Sequence, residues 1–453
     1  MAAILPDQRG PVKLRGRMHG LAPRSDMVDL MHAREPIDVL VVGPVPDFDR
    51  SSGSLRFYSM LRILARKYQV TLLGWIDADD PRSPRYVKAV ADAGVTVHVV
   101  AREDVGHGLD ELLGQVGLCV IFEFFTSAER ALGSVRLRRP DLPVVIDSVD
   151  VHYLREMRGA PYAADPRRAT LEARSTRRRE LGVYRLADLI LAVTEDDRAQ
   201  ILRDLPATPV ALIPNIHEVR NGAPSLEERR PHSLLFVGGF AHLPNVDAMR
   251  FFCGEVLGPL RRRMGQVELT IIGARPPREI AELAGEGVVI AGWVPEMGPY
   301  LDSHCVAIAP LRFGAGMKGK VGQALASGLP VVTTSVGAEG MDLEDGKSAL
   351  IADSPEAFAE AVARLCTDPK LHRDLQAAGL SHVRSRWDVA AAEARLLEAV
   401  ESLRDRRPIP MTRGECRMAH LRDRYVRCGL ARTVTRLRSV TGWYITKASR
   451  SWR

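Results

Sequence analysis

Two lysines, Lys318 and Lys320, sit in a glycine-rich stretch, Gly314-Ala315-Gly316-Met317-Lys318-Gly319-Lys320, between a buried apolar run ending at Pro310 and a helix-forming run ending at Gly328-Leu329-Pro330. The order reads as strand, glycine loop, helix, glycine stop, strand. The first amides of a helix have no intrahelical acceptor, and the helix dipole adds partial positive charge there. With two cations on the same turn, the junction suits a phosphate or diphosphate. Glycines alone would be explained by a tight crossover turn. The lysines favour the anion.

Three other stretches carry chemistry. Gly238 and Gly239, in Val237-Gly238-Gly239-Phe240, end a strand-like run where backbone could approach a ligand closely. Gly53, in Asp49-Arg50-Ser51-Ser52-Gly53-Ser54, opens another helix start. The run Asp147-Ser148-Val149-Asp150-Val151-His152-Tyr153-Leu154-Arg155 puts two carboxylates, an imidazole and a guanidinium at the end of a strand. Each has a structural explanation by itself, such as Asp147 capping a turn. Together at a strand end they favour a site. Asp77-x-Asp79-Asp80 and Asp47-x-Asp49 resemble metal-binding acid pairs, but aspartate is favoured in such turn-rich loops anyway, and no metal is expected. No Gly-x-Ser-x-Gly, His-Glu-x-x-His or Walker-type phosphate loop is present. Gly43 leads into Pro44-Val45-Pro46, so the dinucleotide fingerprint is missing after the first strand.

These residues need elements to hold them. Strand-like runs at 37–43, 70–75, 95–100, 118–123, 144–147, 189–193 and 210–213 alternate with helical or mixed segments, and a second series runs through 233–239, 268–273, 288–291, 305–310, 331–334 and 349–351. Short apolar strands alternating with helices predict parallel sheets covered on both faces. The spacing predicts helices over 245–263, 277–284, 318–327, 355–366 and 389–403, and an arginine-rich polar helix over 165–187. That last run is the pattern of a solvated helix face, or of a face holding an acidic substrate. The α/β chain divides into an arm at 1–36, disordered or loosely attached, a first doubly wound domain at 37–215 and a linker at 216–232. A second doubly wound domain follows at 233–386, then a helix at 387–403 that crosses back to the first domain, and a basic amphipathic tail at 404–453. Ligands of such sheets lie beyond the carboxyl ends of strands, so a cleft between the domains is the expected site.

The net charge of +7 belongs to the tail. Residues 404–453 hold 14 bases and 3 acids, whereas the rest of the chain holds 49 bases and 53 acids. A basic groove for nucleic acid through the body is not supported. In the tail, Val426, Leu430, Val434 and Leu437 recur at spacings of three and four with arginines between them, and Trp443 and Trp452 follow. Such a helix can lie on an anionic membrane surface or pack on the protein's own acidic body. Six scattered cysteines without a Cys-x-x-Cys pair suggest a reducing compartment. No apolar run approaches the roughly 20 residues that span a bilayer, and Met1–Leu5 is too short for a signal peptide. The expected location is the cytoplasm, peripheral on the inner face of the membrane.

From about Ile37 to Trp387 the chain resembles a large family of retaining glycosyltransferases with the GT-B fold, which includes bacterial mannosyl- and glucosyltransferases and sucrose synthase. The resemblance rests on 49–56, 147–155, 187–195, Ile213-Pro214-Asn215, 236–248 and Gly292-Trp293-Val294. It is longest over 310–341, ending Gly337-Ala338-Glu339-Gly340-Met341. It implies that Gly314, Gly316 and Lys320 hold the donor diphosphate, that Gln323 binds the nucleotide ribose, and that Trp293 and Val294 border the base. Glu339 would sit near the donor sugar or its phosphates, His152 would face the sugar from the first domain, and Gly53 would leave room for both substrates. The implied reaction moves a sugar from a nucleotide-sugar to a saccharide, lipid-linked or small-molecule acceptor with retention, in cell-surface polysaccharide or glycoconjugate biosynthesis. It needs no cofactor, metal or protein nucleophile; charge stabilisation of the leaving diphosphate is the physical core.

The chain departs from that pattern at Gln323, where the family usually has Glu, and at Ala315, where many members have another. Gly239 and Asn245 stand near positions of a family Arg and Lys, and Lys318 is the residue that could compensate. These departures keep a second class in view: a catalytically weak or inactive nucleotide-sugar-binding protein. A natural-product glycosyltransferase is a third reading.

Overall fold

The structure, a computed structural model, describes residues 36–77, 80–406 and 408–427. The predicted arm up to residue 35 and the tail beyond 427 lie outside the described residues. The first sheet contains β1 (Ile37–Pro44), β2 (Val70–Trp75), β3 (Thr96–Val99), β4 (Val116–Glu123), β5 (Val144–Asp147), β6 (Leu189–Ala192) and β7 (Val210–Leu212). They are parallel, in the order β3-β2-β1-β4-β5-β6-β7. The second contains β8 (Ser233–Val237), β9 (Glu268–Ile272), β10 (Val288–Gly292), β11 (Val306–Ala309), β12 (Val331–Thr333) and β13 (Leu350–Ile351), also parallel, in the order β10-β9-β8-β11-β12-β13. Thirteen apolar runs rich in Val, Ile and Leu thus become thirteen strands, because helices cover both faces of each sheet. Val39, Val145, Ile146 and Ile190 in the first sheet and Leu234 and Leu269 in the second are fully buried. Burying one such side chain contributes about 1.5–3 kcal/mol.

Strand order reverses between β1 and β4 in one sheet and between β8 and β11 in the other. Crevices open at such reversals, beyond the carboxyl ends of the strands. The Gly53 helix start follows β1, the Gly238-Gly239 turn follows β8, and the glycine loop follows β11, so sheet topology alone gathers them.

Two helix expectations change. The helix predicted over 245–263 is Leu243–Phe251 and Leu257–Met264 with a π-helical turn, Phe252–Val256, between them. Pro259 has no N–H to offer the Glu255 carbonyl one turn earlier, and the chain widens there. A helix not anticipated, Pro369–Arg386, begins behind Asp368, whose carboxylate accepts from the amides of Lys370 and Leu371 at 3.0 Å each.

The chain passes between the two sheets twice, after Asn215 and at Asp388. Beyond Asp388 the helix Val389–Glu401 packs on the helix Ser52–Ala65, with Ala392, Leu396 and Val400 joining the first-sheet core. The passages touch: the His217 amide donates to the Trp387 carbonyl at 2.9 Å. The described part of the tail, helix Arg413–Arg427, lies along helix Phe125–Arg138 of the first domain. Ala419 meets Gly133 backbone to backbone, and the buried Asp423 accepts from the Ser134 amide at 2.8 Å. Of the two placements open for the tail, this segment takes the protein's own body.

Candidate active site

The glycine loop bends because Gly316 has φ +69°, which a side-chain-bearing residue rarely adopts. Helix Gly319–Ala326 follows. Among the described residues, no acceptor takes the amides of Gly319 and Lys320, so the helix presents open donors. Lys318, buried, donates from Nζ to the Glu339 carbonyl at 3.3 Å, with a carboxylate oxygen of Glu339 at 3.7 Å. Burial lowers its pKa, against the pull of Glu339 and Asp197. Lys320 donates to the Asn245 side-chain carbonyl and stands 4.8 Å above the Phe236 ring. Burial, with the Lys318 charge adding to it, pushes its amine down to about 7. Glu339 receives both Arg158 guanidinium nitrogens, at 2.6 and 2.7 Å. Burial would raise its pKa, but the Arg158 hydrogen bonds and Lys318 hold it below the usual value.

Across the cleft, β5 ends in a tight turn in which the Asp150 amide bonds the Ser148 carbonyl at 2.6 Å, with Val149 at φ +57° between them. A positive φ is uncommon for a β-branched residue and stores strain. The turn aims Asp150 at His152: Nδ1 and Oδ1 are 2.8 Å apart, and Arg155 pairs with the other carboxylate oxygen. Burial alone would raise the Asp150 pKa; the charges of His152 and Arg155 outweigh it and hold it well below the carboxylate range. Burial would lower that of His152, but Asp150 reverses the sign and its pKa is raised. The ring stands edge-on to Phe124 and Phe125, at 5.7 and 5.1 Å between centroids. Glu180 accepts from the amides of His152 and Tyr153 at 3.1 and 3.0 Å, capping the helix His152–Gly159 from outside. Asp147 lies deeper, paired with Arg56, which also donates to the Ile213 carbonyl at 2.9 Å from Nη2. Both are fully buried, a strut under the turn rather than part of the cleft surface.

The two halves interlock. A Cβ built on Gly316 would lie 2.8 Å from Asp150 Cβ, and one on Gly319 only 2.1 Å from Ser52 Cβ, beside Gly53. Gly53 itself lies in the first turn of helix Ser52–Ala65, and a Cβ there would lie 3.3 Å from Val149. One cavity at this junction is about 70 Å³, lined by Leu154, Arg158, Thr194, Asp197, Lys318 and Glu339 among others. Small-molecule sites hold about 300–1,000 Å³, so this cavity by itself is too small for a ligand of that class unless the domains part. Gly319→Ala should keep them from closing. Scattering on the variant is expected to show a larger radius of gyration than the parent's, with turnover lost; an unchanged radius would contradict this contact.

The glycine loop, Lys318, Lys320, Asp150, His152 and Glu339 are therefore brought together. Gly238 and Gly239 border the group through Asn245, whose amide donates to the Gly239 carbonyl at 2.8 Å while its carbonyl serves Lys320. Trp293 and Val294 lie apart, following the edge strand β10, with Arg82 of the first domain 4.7 Å over the Trp293 ring. Gln323 is half-buried, and its amide has no hydrogen-bond partner among the described residues. The acid pairs of the loops are engaged: Asp49 accepts from the Tyr86 hydroxyl at 2.5 Å and from Arg85 at 3.1 Å, and Asp80 pairs with Arg50. Two cleft residues were missed by sequence reasoning. Arg158 was legible, since it sits three residues after Arg155 on the same helix face. Asp197, raised to about 6 mainly by burial, sits on helix Glu195–Asp204 and had no motif to mark it.

Residues 231–368 match the family model described as glycosyl transferases group 1. No curated protein matches the sequence. Among solved structures, sucrose-phosphate synthase from Thermosynechococcus elongatus is similar at TM-score 0.59 and 16% identity, over 81% of this chain and 99% of that one. HepE from Anabaena in complex with UDP gives 0.59 and 10%, over 81% and 100%. TarM from S. aureus, in a complex with UDP, gives 0.52 and 13%, over 65% and 57%. Two parallel sheets, the second lying within the stretch that holds the group 1 match, give the chain the GT-B fold. The group 1 match covers the glycine loop, Lys318, Lys320, Gln323 and Glu339, all on the second half of the cleft.

Proposed function

We propose that the protein moves a sugar from a nucleotide-sugar to a saccharide, lipid-linked or small-molecule acceptor with retention of configuration, without metal, in cell-surface polysaccharide or glycoconjugate synthesis at the inner face of the membrane. One observation carries the reading. An open helix start with two lysines faces an Asp150-oriented imidazole across a cleft at the strand-order reversals. In this scheme the open amides, Lys318 and Lys320 receive the diphosphate, and their fixed charge stabilises it as the sugar C1–O bond breaks. The acceptor oxygen bonds to C1 on the same face and its proton passes to the departing phosphate oxygen. His152, with Nδ1 held by Asp150, offers Nε2 to the sugar, and Glu339 stays fixed by Arg158. HepE and TarM are held with UDP in their structures, so UDP-sugars head a donor screen that also includes GDP- and dTDP-sugars. Release of nucleoside diphosphate from at least one donor, in the presence of chelator, is the expected result; no release from any of them would refute the proposal.

The unpartnered Gln323 amide supports the second reading, a binding protein with weak turnover. A carboxylate there would accept both ribose hydroxyls, and a charged acceptor exceeds a neutral one by about 1 kcal/mol. Gln323→Glu is therefore expected to tighten nucleotide binding about fivefold by calorimetry. If the parent binds donor without turnover and the variant turns it over, the binding-protein reading is favoured.

A further inference from the structure

The arginine-rich run predicted over 165–187 forms the helix Pro166–Tyr184, starting behind Asp165 and ending at Arg185. Its arginines divide into two sets. Arg168, Arg177 and Arg179 lie on the flanks and pair with Glu172, Asp204 and Glu129. Arg167, Arg174, Arg178 and Arg185 are exposed and have no hydrogen-bond or ion-pair partner among the described residues. At 3.6 residues per turn, these four and Leu171 fall within about 60° of arc, opposite the buried Ala173, Thr176 and Glu180. The result is an outward ridge about 27 Å long. It carries no acid, and its single large apolar side chain, Leu171, is 64% exposed.

What lies beside the ridge indicates what it meets. Helix Phe125–Arg138 packs on the ridge helix and also on the tail helix Arg413–Arg427. The tail helix exposes Met418 (67%), Leu421 (45%) and Arg417. The chain then continues through 428–453 with six bases and no acid. At its amino end the ridge helix is preceded by Tyr162, which stacks on Phe313 of the glycine loop at 4.7 Å, so the ridge starts at the cleft mouth.

We propose that the ridge Arg167–Leu171–Arg174–Arg178–Arg185 docks the first domain on an anionic lipid bilayer. The guanidinium groups would meet lipid phosphates and Leu171 would enter the interface. The proposal stands on the ridge alone and survives if the donor chemistry is assigned differently.

The test is flotation of the full-length protein with vesicles of phosphatidylcholine containing about 30% phosphatidylglycerol, compared with pure phosphatidylcholine. Arg167→Gln/Arg174→Gln/Arg178→Gln should bind the anionic vesicles at least about tenfold more weakly. Its melting temperature and its release of nucleoside diphosphate in solution should stay those of the parent, since none of the three touches the cleft. Leu171→Gln, which keeps every charge, should weaken binding by a smaller factor and by a similar factor at high and low salt, whereas binding of the parent should fall steeply with salt. Unchanged binding of the triple variant would overturn the proposal. So would displacement of the parent by soluble polyphosphate at matched phosphate concentration, which would assign the ridge to a soluble polyanion.

Discussion

Replacing Lys320 with alanine should lower kcat/KM for the donor by about 10²–10³-fold, the scale of losing one fixed charge donor to a developing anion. A second result separates this role from a structural one. The Lys320 amine is held near 7 by burial and by Lys318, far below an exposed lysine. A diphosphate selects the charged form, so binding takes up a proton when the free protein lacks one. Donor affinity should be level below pH 7 and should weaken about tenfold for each unit above it, until the pKa in the complex is reached. The sign for stability runs the other way. The unfolded chain keeps a protonated lysine between pH 7 and about 10, so this residue alone makes the empty protein more stable as pH rises through that window. Lys320→Arg should abolish the pH slope of binding while retaining much of the affinity. Calorimetry in buffers of different ionisation enthalpy reads the proton uptake, and a flat pH profile in the parent would rule out the assignment.

The second large effect lies across the cleft. His152→Ala is expected to cut turnover by about 10²-fold while donor affinity changes little, because the proposed diphosphate contacts come from the other domain. Asp150→Asn should lose nearly as much. The amide cannot hold the raised pKa of His152, and it leaves Arg155 without its charge partner. Since both changes remove one oriented imidazole, the double variant should be little worse than either single one. Full additivity would mean that the two residues act separately. Normal turnover by His152→Ala would remove the first domain from the chemistry.

The parallel sheets were legible because buried strands read as short apolar runs whatever the partner. Glycine-rich junctions at Gly53, Gly238 and Gly314 were legible because only special backbone needs them. Contacts between elements distant in sequence were not. Nothing in the run 310–334 announces that Gly319 presses on Ser52, or that Arg158 would close on Glu339 from the other domain. The widened turn at Phe252–Val256 was hidden by a helical period that continues through it. The tail's periodic run from Val426 onward lies outside the side chains the structure describes; the segment before it rests on helix Phe125–Arg138 through Ala419 and Asp423.

The two passages of the chain between the sheets, joined by the bond from His217 to Trp387, form a hinge with two parallel leaves. Such a hinge resists twist and shear and leaves one easy motion, a swing about a single axis. The imidazole of His217 lies against Gly322, midway along helix Gly319–Ala326, where a Cβ would meet it at 2.3 Å. Burial lowers the His217 pKa to about 4, so it stays an uncharged bearing at neutral pH. If the domains swing about this axis, helix Gly319–Ala326 beside it should shift less than Asp150 and His152, which lie farther from it. On the proposed donor assignment, donor should then bind before acceptor, and product-inhibition kinetics showing random order would count against it.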